Sequence, residues 1–489
     1  MDRIFTDATT WRTYERASSA LLVDGRDYYR AFYEAALGAK RSICLLGWQF
    51  DSDVLLLRGD DLPAGADPRD FELMPFLDRL CRERPELEVR VLAWDHSVVF
   101  TFEREVLQQI VFDLSTCERF TFRYDDTVPL GGSHHQKVAI VDGRIAFLGS
   151  QDICHARWDS SAHLLRDPRR QSRFGIAYKP YHEVQAVVAG APARSLLELF
   201  VERWRNATGQ ALDVASLVRD AGGEVLDVPV TLSMPRATVA LSRTTPAGDA
   251  REPAREVREL HVRAIARAER LIYVETQYLT SCTVRDALLE RMSDRSRPRL
   301  EVVIVMPHRP QKLKEELTVG PGQSDVLEAL AAAAAAGGHA LGVYNVALTD
   351  EEGRDVYVYI HSKLMIVDDA FFTVGSANLA NRSMLVDSEI NLSWCAEDAE
   401  LRRAIRRARV RLMLEHLGEG ADASVVVRPE GMVARLDALV DARRGRLRRR
   451  PVDHQEPGVI AKAMHEIVCD YVDPEDRAGD VTDDAVRAD

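Results

Sequence analysis

Lysine is almost missing from this chain: of 64 basic residues only seven are lysine. Long apolar runs are missing as well. None approaches the roughly eighteen residues that read as a membrane span, and residues 1–10 (M-D-R-I-F-T-D-A-T-T) hold no apolar core of signal-peptide length. A cytoplasmic protein is therefore expected. Excess positive charge is absent, the formal net charge being −13, which argues against non-specific nucleic-acid binding, since that needs a basic surface to displace counterions from phosphates. The seven cysteines (Cys44, Cys81, Cys117, Cys154, Cys282, Cys395 and Cys469) are odd in number, scattered and never spaced C-x-x-C. Neither a disulfide framework nor a zinc site is expected, and a reducing compartment fits. What remains is the composition of a globular protein, 46% hydrophobic and 29% charged, with 489 residues, enough for two domains with cores of their own.

Two of the seven lysines belong to a repeated pattern. One copy is His135, Lys137, Asp142, Gly149-Ser150 and Asp152; the other is His361, Lys363, Asp368, Gly375-Ser376 and Asn378. In both, Lys follows His by two residues, Asp by seven and Gly-Ser by fourteen. Each Asp is preceded by an apolar run (residues 138–141 and 364–367) that reads as a buried strand. Side chains two apart on a strand share a face, so His and Lys point to the same side. Two ordinary strands that happen to open with histidine would not match at all three offsets.

At these residues the sequence resembles the phospholipase D superfamily, whose signature is His-x-Lys-x4-Asp followed by Gly-Ser or Gly-Gly and usually Asn. The second copy matches throughout. The first departs at Asp152, where Asn is commoner, although H-H-Q-K-V-A-I-V-D-G-R-I-A-F-L-G-S-Q-D is similar to the first motif of eukaryote-type phospholipases D. Arg157-Trp158-Asp159, Glu415-His416 and Glu275-Thr276-Gln277-Tyr278 resemble further segments of those enzymes, the last with Thr in place of Asn. The resemblance spans about residues 20–420 and implies two motifs meeting at one active site across a pseudo-two-fold axis.

The chain order supports a duplication. After a polar start, Asp27 can cap a helix carrying Tyr29, Phe32 and Tyr33, followed by a strand at 42–47, a loop at 59–70, a helix at 76–84 and strands at 87–94 and 119–124. The second half repeats helix 256–268, strand 271–274, helix 284–292 and strands 300–306 and 341–346. Behind each motif copy stand Glu183 and Glu389, each leading into a charged helix (193–205 and 399–417). Alternating strands and helices predict an α/β protein of two α-β-α sandwich halves with mixed sheets. The expected division is 1–212 for the first half, 225–420 for the second, and 421–489 for an extension with a basic cluster (443–450) and an acidic tail. The cluster is read as a solvated helix end or as a contact for anionic headgroups. Two stretches break the symmetry: an extra polar segment at 153–179, and 307–324 with the alanine run 331–336, a helix that Gly337-Gly338 ends.

A phosphodiester resists attack because its oxygens are negative, so catalysis needs cations, a nucleophile and an acid for the leaving oxygen. Lys137 and Lys363 supply charge; Ser150, Ser376, Asn378 and Gln277 are candidate substrate-binding groups, with Asp152 a donor only if protonated. The resemblance implies a covalent phosphohistidine with His135 as nucleophile and His361 as general acid, the reverse staying open. It also implies that Glu183 and Glu389 orient the histidines, while Asp142 and Asp368 orient structure and tune charge. No metal or other cofactor is implied. The expected partner is a phospholipid, met by peripheral membrane contact at the inner membrane face, with no nucleic acid and activity as a monomer. Segment 153–179 is expected to border the active-site mouth, with Trp158, Leu164, Leu165 and Phe174 entering the headgroup boundary beside Arg157, Arg166, Arg169, Arg170 and Arg173. A cardiolipin-synthase-like transferase and a metal-independent nuclease of the same superfamily are the alternatives.

Overall fold

The computed structural model describes residues 3–95, 108–129, 131–172, 174–219, 225–247, 253–310, 313–451 and 473. Apart from Asp473, the acidic tail lies outside them, as do Arg173 and Cys469. Two mixed sheets of matching order form the frame. In the first, parallel strands Phe120–Asp125, Glu88–Trp94 and Ser42–Gly47 are followed by antiparallel Val138–Val141, Ile145–Gly149 and Val184–Ala189. In the second, parallel Ala340–Thr349, Glu301–Val305 and Leu271–Glu275 are followed by antiparallel Leu364–Val367, Phe371–Gly375, Glu389–Cys395 and Ala237–Thr245. The motif strands Val138–Val141 and Leu364–Val367 are buried at every position. That explains their unbroken apolar run: a strand covered on both faces has no reason to alternate.

The covering layers follow from the same pattern. One face of each sheet meets in a central core with helices Ala191–Thr208 and Ala399–Leu417. The other face of the first sheet packs under Asp24–Leu37 and Leu73–Glu83, and that of the second under Glu256–Ala266, Cys282–Ser293 and Leu313–Gly337. The expected α/β class with two sandwich halves is what the chain adopts. The alanine run lies in helix Leu313–Gly337, and Gly338 leaves it at φ +68°.

Three local expectations are corrected. The polar start is in fact strand Arg12–Val23, which belongs to both sheets: Arg12 to Ala17 pair with Ala237–Thr245, and Ser18 to Val23 with Val184–Ala189. The hand-over is a register shift between Tyr14 and Ala17, where Arg16 sits at φ 51°. The strand's polar half hid it from periodicity, because only the second part is fully buried. Asp27 does not cap the first helix, which already starts at Asp24; its carboxylate accepts from Thr231 Oγ1. The basic cluster is not a helix end but contains strand Leu447–Arg449, which extends the second sheet beside Ala340–Thr349. Three of its arginines have partners within the chain, Arg448 with Asp355, Arg449 with Asp441, and Arg450 with the carbonyls of Pro307 and His308, while Arg443 and Arg444 are exposed. No helix among the described residues is long and apolar enough to cross a membrane.

Candidate active site

Each motif opens on a short extended segment laid against the other half. Tyr359–Ile360 pairs in parallel with Tyr181–His182, and the His361 N–H donates to His182 O at 2.9 Å. Reciprocally, the His135 N–H donates to Ser388 O at 3.0 Å. Backbone pairing thus carries each histidine to the residue preceding the opposite half's glutamate. The side chains complete the exchange: His135 Nδ1 lies 3.0 Å from both carboxylate oxygens of Glu389, and His361 Nδ1 lies 2.7 Å from Glu183 Oε1. With both Nδ1 atoms engaged, both Nε2 atoms are left for chemistry.

Lys137 and Lys363 fold back the same way, each ammonium donating to the carbonyl of its own motif histidine, at 3.0 and 2.7 Å. Their second partners differ. Lys137 faces the Asp152 carboxylate at 3.4 Å, whereas Lys363 donates to the neutral Gln277 Oε1 at 3.0 Å. Electrostatics follow from that crowding. Burial, then the neighbouring lysines, hold His135 below its ordinary value, opposed by Glu389. His361 is held further down by burial, Lys363, Arg157 and Lys137. Burial is also the largest cause that brings Lys363 down to about 7, with Lys137 and Arg157 acting in the same sense and Glu183 against it. The site is thus a buried concentration of cations around two imidazoles held toward the neutral form, which suits an anion.

Ser150 and Ser376, expected on the substrate, are corrected. Their hydroxyls are fully buried and donate to Glu183 and Glu389 respectively. The physical reason is the tight strand pairing behind them. A Cβ on Gly149 would lie 1.8 Å from Gln185 Oε1, and one on Gly375 would lie 2.1 Å from Asn391 Oδ1. Glycine lets the neighbouring strand in, and the following serine meets the glutamate at its entry, Glu183 just before Val184–Ala189 and Glu389 as the first residue of Glu389–Cys395. Asp152 is likewise not a donor: besides facing Lys137, its Oδ1 accepts from the Trp48 N–H at 2.8 Å. Asn378 is buried with an Oδ1 that has no hydrogen-bond partner.

Asp142 and Asp368 stand apart from the histidines. Each lies beyond a four-residue strand, about 16 Å from its motif lysine at the usual rise. Asp142 accepts from the N–H groups of Lys40, Arg41 and Ser42, and Asp368 from those of Glu269, Arg270 and Leu271. Both take a left-handed φ of 55°, tolerable for Asp. They fasten the turn that delivers Ser42–Gly47 in the first sheet and Leu271–Glu275 in the second, a structural placement away from the phosphate-facing residues.

Several side chains around the histidines escaped the sequence reading. Trp48 lies edge-on to the His135 ring at 5.5 Å, with Trp94 beside it, while Tyr181 and Tyr359 flank His361. Register supplies the missed signal, since Leu46 pairs with Val138 as Glu275 pairs with Leu364. Trp48 is therefore the counterpart of Gln277, two residues further along each strand. The Arg157 guanidinium sits over Tyr181, and its buried Nη1 has no hydrogen-bond partner. His134 is turned away, onto Asp125 and Ser388.

The extra segment is mostly interior. The glutamates are 206 residues apart (389 − 183) and the histidines 226 (361 − 135), so it inserts twenty residues. Trp158 is only 1% exposed, with the guanidinium groups of Arg58 and Arg169 both against its ring, and Arg170 is held by Asp159 and the carbonyls of Leu164 and Leu165. The expectation that Trp158 enters a headgroup boundary is therefore corrected. The apolar residues that do face outward are Leu164, Phe174 and Ile176, at 46%, 82% and 64% exposure.

Comparison with known proteins gives the family and the fold. The family model described as "Phospholipase D" matches residues 35–287, and that described as "Cardiolipin synthase, PLD-like domain" matches residues 261–408. Phospholipase D A of Dictyostelium discoideum is 24% identical, over 83% of this chain and 36% of its own length. Phospholipase D alpha 4 of Arabidopsis thaliana is 24% identical, over 85% of this chain and 66% of its own. The chain therefore spans less than two thirds of either relative. In fold it is similar to the crystal structure of phosphatidylserine synthase from Haemophilus influenzae Rd KW20, with a TM-score of 0.53 at 14% identity, covering 87% of this chain and 95% of that one. The first of the two family models alone takes in more than half of the chain (253 of 489 residues), and the chain belongs to the phospholipase D family.

Proposed function

We propose that this protein cleaves the phosphodiester of a phospholipid on the headgroup side, transferring the phosphatidyl group to water or another alcohol through a phosphohistidine. The observation that carries the reading is the reciprocal pairing of His135 with Glu389 and of His361 with Glu183, which makes one site from two halves. Lys137 and Lys363, with Arg157 Nη1, meet the nonbridging oxygens. An anionic diester there offsets the cations that hold His361 neutral, so His361 can carry a proton once substrate is bound. His135 Nε2 then attacks phosphorus, and His361 gives its proton to the leaving headgroup oxygen. In the second half-reaction neutral His361 takes a proton from water or an alcohol, which attacks the phosphohistidine and releases His135. The surroundings favour the opposite assignment in one respect: burial and the neighbouring cations hold His361 further below its ordinary value than His135, as a nucleophile should be.

The inserted segment supplies the membrane contact, through Leu164, Phe174 and Ile176 beside the exposed Arg166 and Lys179. Cations and apolar tips together suit an anionic lipid surface. The test is headgroup release from mixed phospholipid vesicles, beside DNA and RNA cleavage, with flotation of wild type against a Leu164→Ser, Phe174→Ser, Ile176→Ser variant. Wild type should release headgroup and float, and the variant should do neither well. Oligonucleotide cleavage without headgroup release would replace the lipid reading by the nuclease one. An unchanged triple variant would remove the proposed contact.

A further inference from the structure

Behind the histidine pair lies a second cluster that the proposed chemistry does not use. Asp24, His163, His182 and Glu415 are at most 4% exposed, and one ligand-capable atom from each falls within 4.8 Å of all the others. They come from four places: the start of helix Asp24–Leu37, the inserted segment, strand Tyr181–His182, and helix Ala399–Leu417 of the other half. His182 Nδ1 lies 3.0 Å from both Asp24 Oδ1 and Glu415 Oε1. His163 Nε2 lies 3.2 Å from Glu415 Oε1 and 3.8 Å from Asp24 Oδ2. For bonds of about 2.0–2.1 Å, a tetrahedral ion needs ligand atoms about 3.4 Å apart; the two spacings to Glu415 Oε1 fall a few tenths short of that value, and those to Asp24, through its two oxygens, lie on either side of it.

Three further observations point the same way. His182 Nδ1 and Asp24 Oδ2 are buried and make no hydrogen bond, although charged groups surround both. The far nitrogen of each imidazole is held by a carboxylate, His163 Nδ1 by Asp159 at 2.9 Å and His182 Nε2 by Glu275 at 3.0 Å. This is the carboxylate–histidine–metal arrangement, which fixes the tautomer and turns the remaining lone pair toward the cluster. Asp24 and His163 also take left-handed φ values of 66° and 43°, strain that non-glycine residues sustain where a site demands it.

We propose that Asp24, His163, His182 and Glu415 bind one divalent transition-metal ion of the zinc type at the seam between the halves. Two imidazoles with two carboxylates suit zinc or cobalt better than magnesium or calcium, which favour all-oxygen shells. The expectation against zinc rested on cysteine spacing, and this site contains no cysteine. The ion's role is positional. Asp24 exchanges backbone hydrogen bonds with Glu183, accepting from the Glu183 N–H at Oδ1 (3.2 Å) and donating its own N–H to Glu183 O (2.8 Å). An ion on Asp24 therefore fixes the carboxylate that orients His361.

The full chain, produced with zinc or cobalt in the medium and dialysed against metal-free buffer, should retain one ion per chain by elemental mass spectrometry. The cobalt form should show tetrahedral ligand-field bands, and X-ray absorption should show two imidazoles in the shell. His163→Gln should lose the ion while keeping its circular dichroism. Background metal only in the wild type, or a stoichiometric ion in folded His163→Gln, would overturn the proposal. If His163→Gln does not fold, the wild-type absorption spectrum decides: a shell without two imidazoles overturns it equally.

Discussion

Replacing Glu183 by Gln separates the two histidines' roles, because the crossed pairing gives each glutamate only one histidine. Glu183 Oε1 lies 2.7 Å from His361 Nδ1 in a fully buried position. An opposite charge at that range raises a histidine's pKa by about one to three units, or about 1.4–4 kcal/mol. A neutral amide removes most of this, so the protonated fraction of His361 in the substrate complex should fall about ten- to a thousandfold. Turnover of a phospholipid, whose alcohol headgroup needs a proton to leave, should fall by a similar factor. A chromogenic phosphodiester with a p-nitrophenolate leaving group needs no such proton in its first step. Rapid-mixing absorbance should therefore show a burst of nearly one product per site for Glu183→Gln, followed by slow turnover, because His361 must still activate water. Glu389→Gln disorients the nucleophile and should slow the burst itself. A fast burst in Glu389→Gln with none in Glu183→Gln would exchange the two histidines' roles. Little loss in either variant would refute the orienting role of both carboxylates.

Other outcomes follow from the same geometry. Asp368→Ala strands three backbone N–H groups and should cost about 3 kcal/mol, read by urea unfolding, with activity per folded molecule largely kept; a collapse of activity without loss of stability would contradict the structural placement. Lys363 is brought down to about 7, so its positive charge is present below that pH and lost above it. Competitive inhibition by sulfate, which does not titrate in this range, should weaken as pH rises from 6 to 8, and Lys363→Met should flatten the profile. Activity should persist in EDTA, since lysines supply the charge at the phosphate and the proposed ion is enclosed by buried ligands; abolition by brief chelation, with rescue by a divalent ion, would place a metal in the chemistry instead.

The repeated offsets made the duplicated α/β frame legible, because strands buried on both faces advertise themselves as unbroken apolar runs. Histidine, lysine and glutamate positions were legible for the same reason: each sits at a strand end whose register the repeat fixes. Partner choice was not. That Ser150 serves Glu183 depends on Gly149 admitting Gln185, a three-dimensional closeness with no one-dimensional trace. The burial of Trp158 was hidden too, since an arginine-rich segment reads as surface until Arg58 and Arg169 are seen against the ring. The strand Arg12–Val23 was missed because its outer half is built from polar residues at a sheet position covered on one side only.

That same strand sets a problem of timing during synthesis. Its inner half can pair as soon as Ala189 has left the ribosome, but its outer half must wait for Ala237–Thr245, which is itself enclosed only when Glu389–Cys395 arrives. The interval from 189 to 395 is 206 residues, about 10–40 s at ordinary elongation rates. Throughout it the nascent chain carries an unpaired strand edge, first at residues 12–17 and, once Ala237–Thr245 has covered them, on that strand's far side, open to pairing with a neighbouring copy. The charged residues of that outer half, Arg12, Glu15 and Arg16, are the kind that discourage such pairing, and neutralising them should show first as aggregation on the polysome, before any effect on the finished protein.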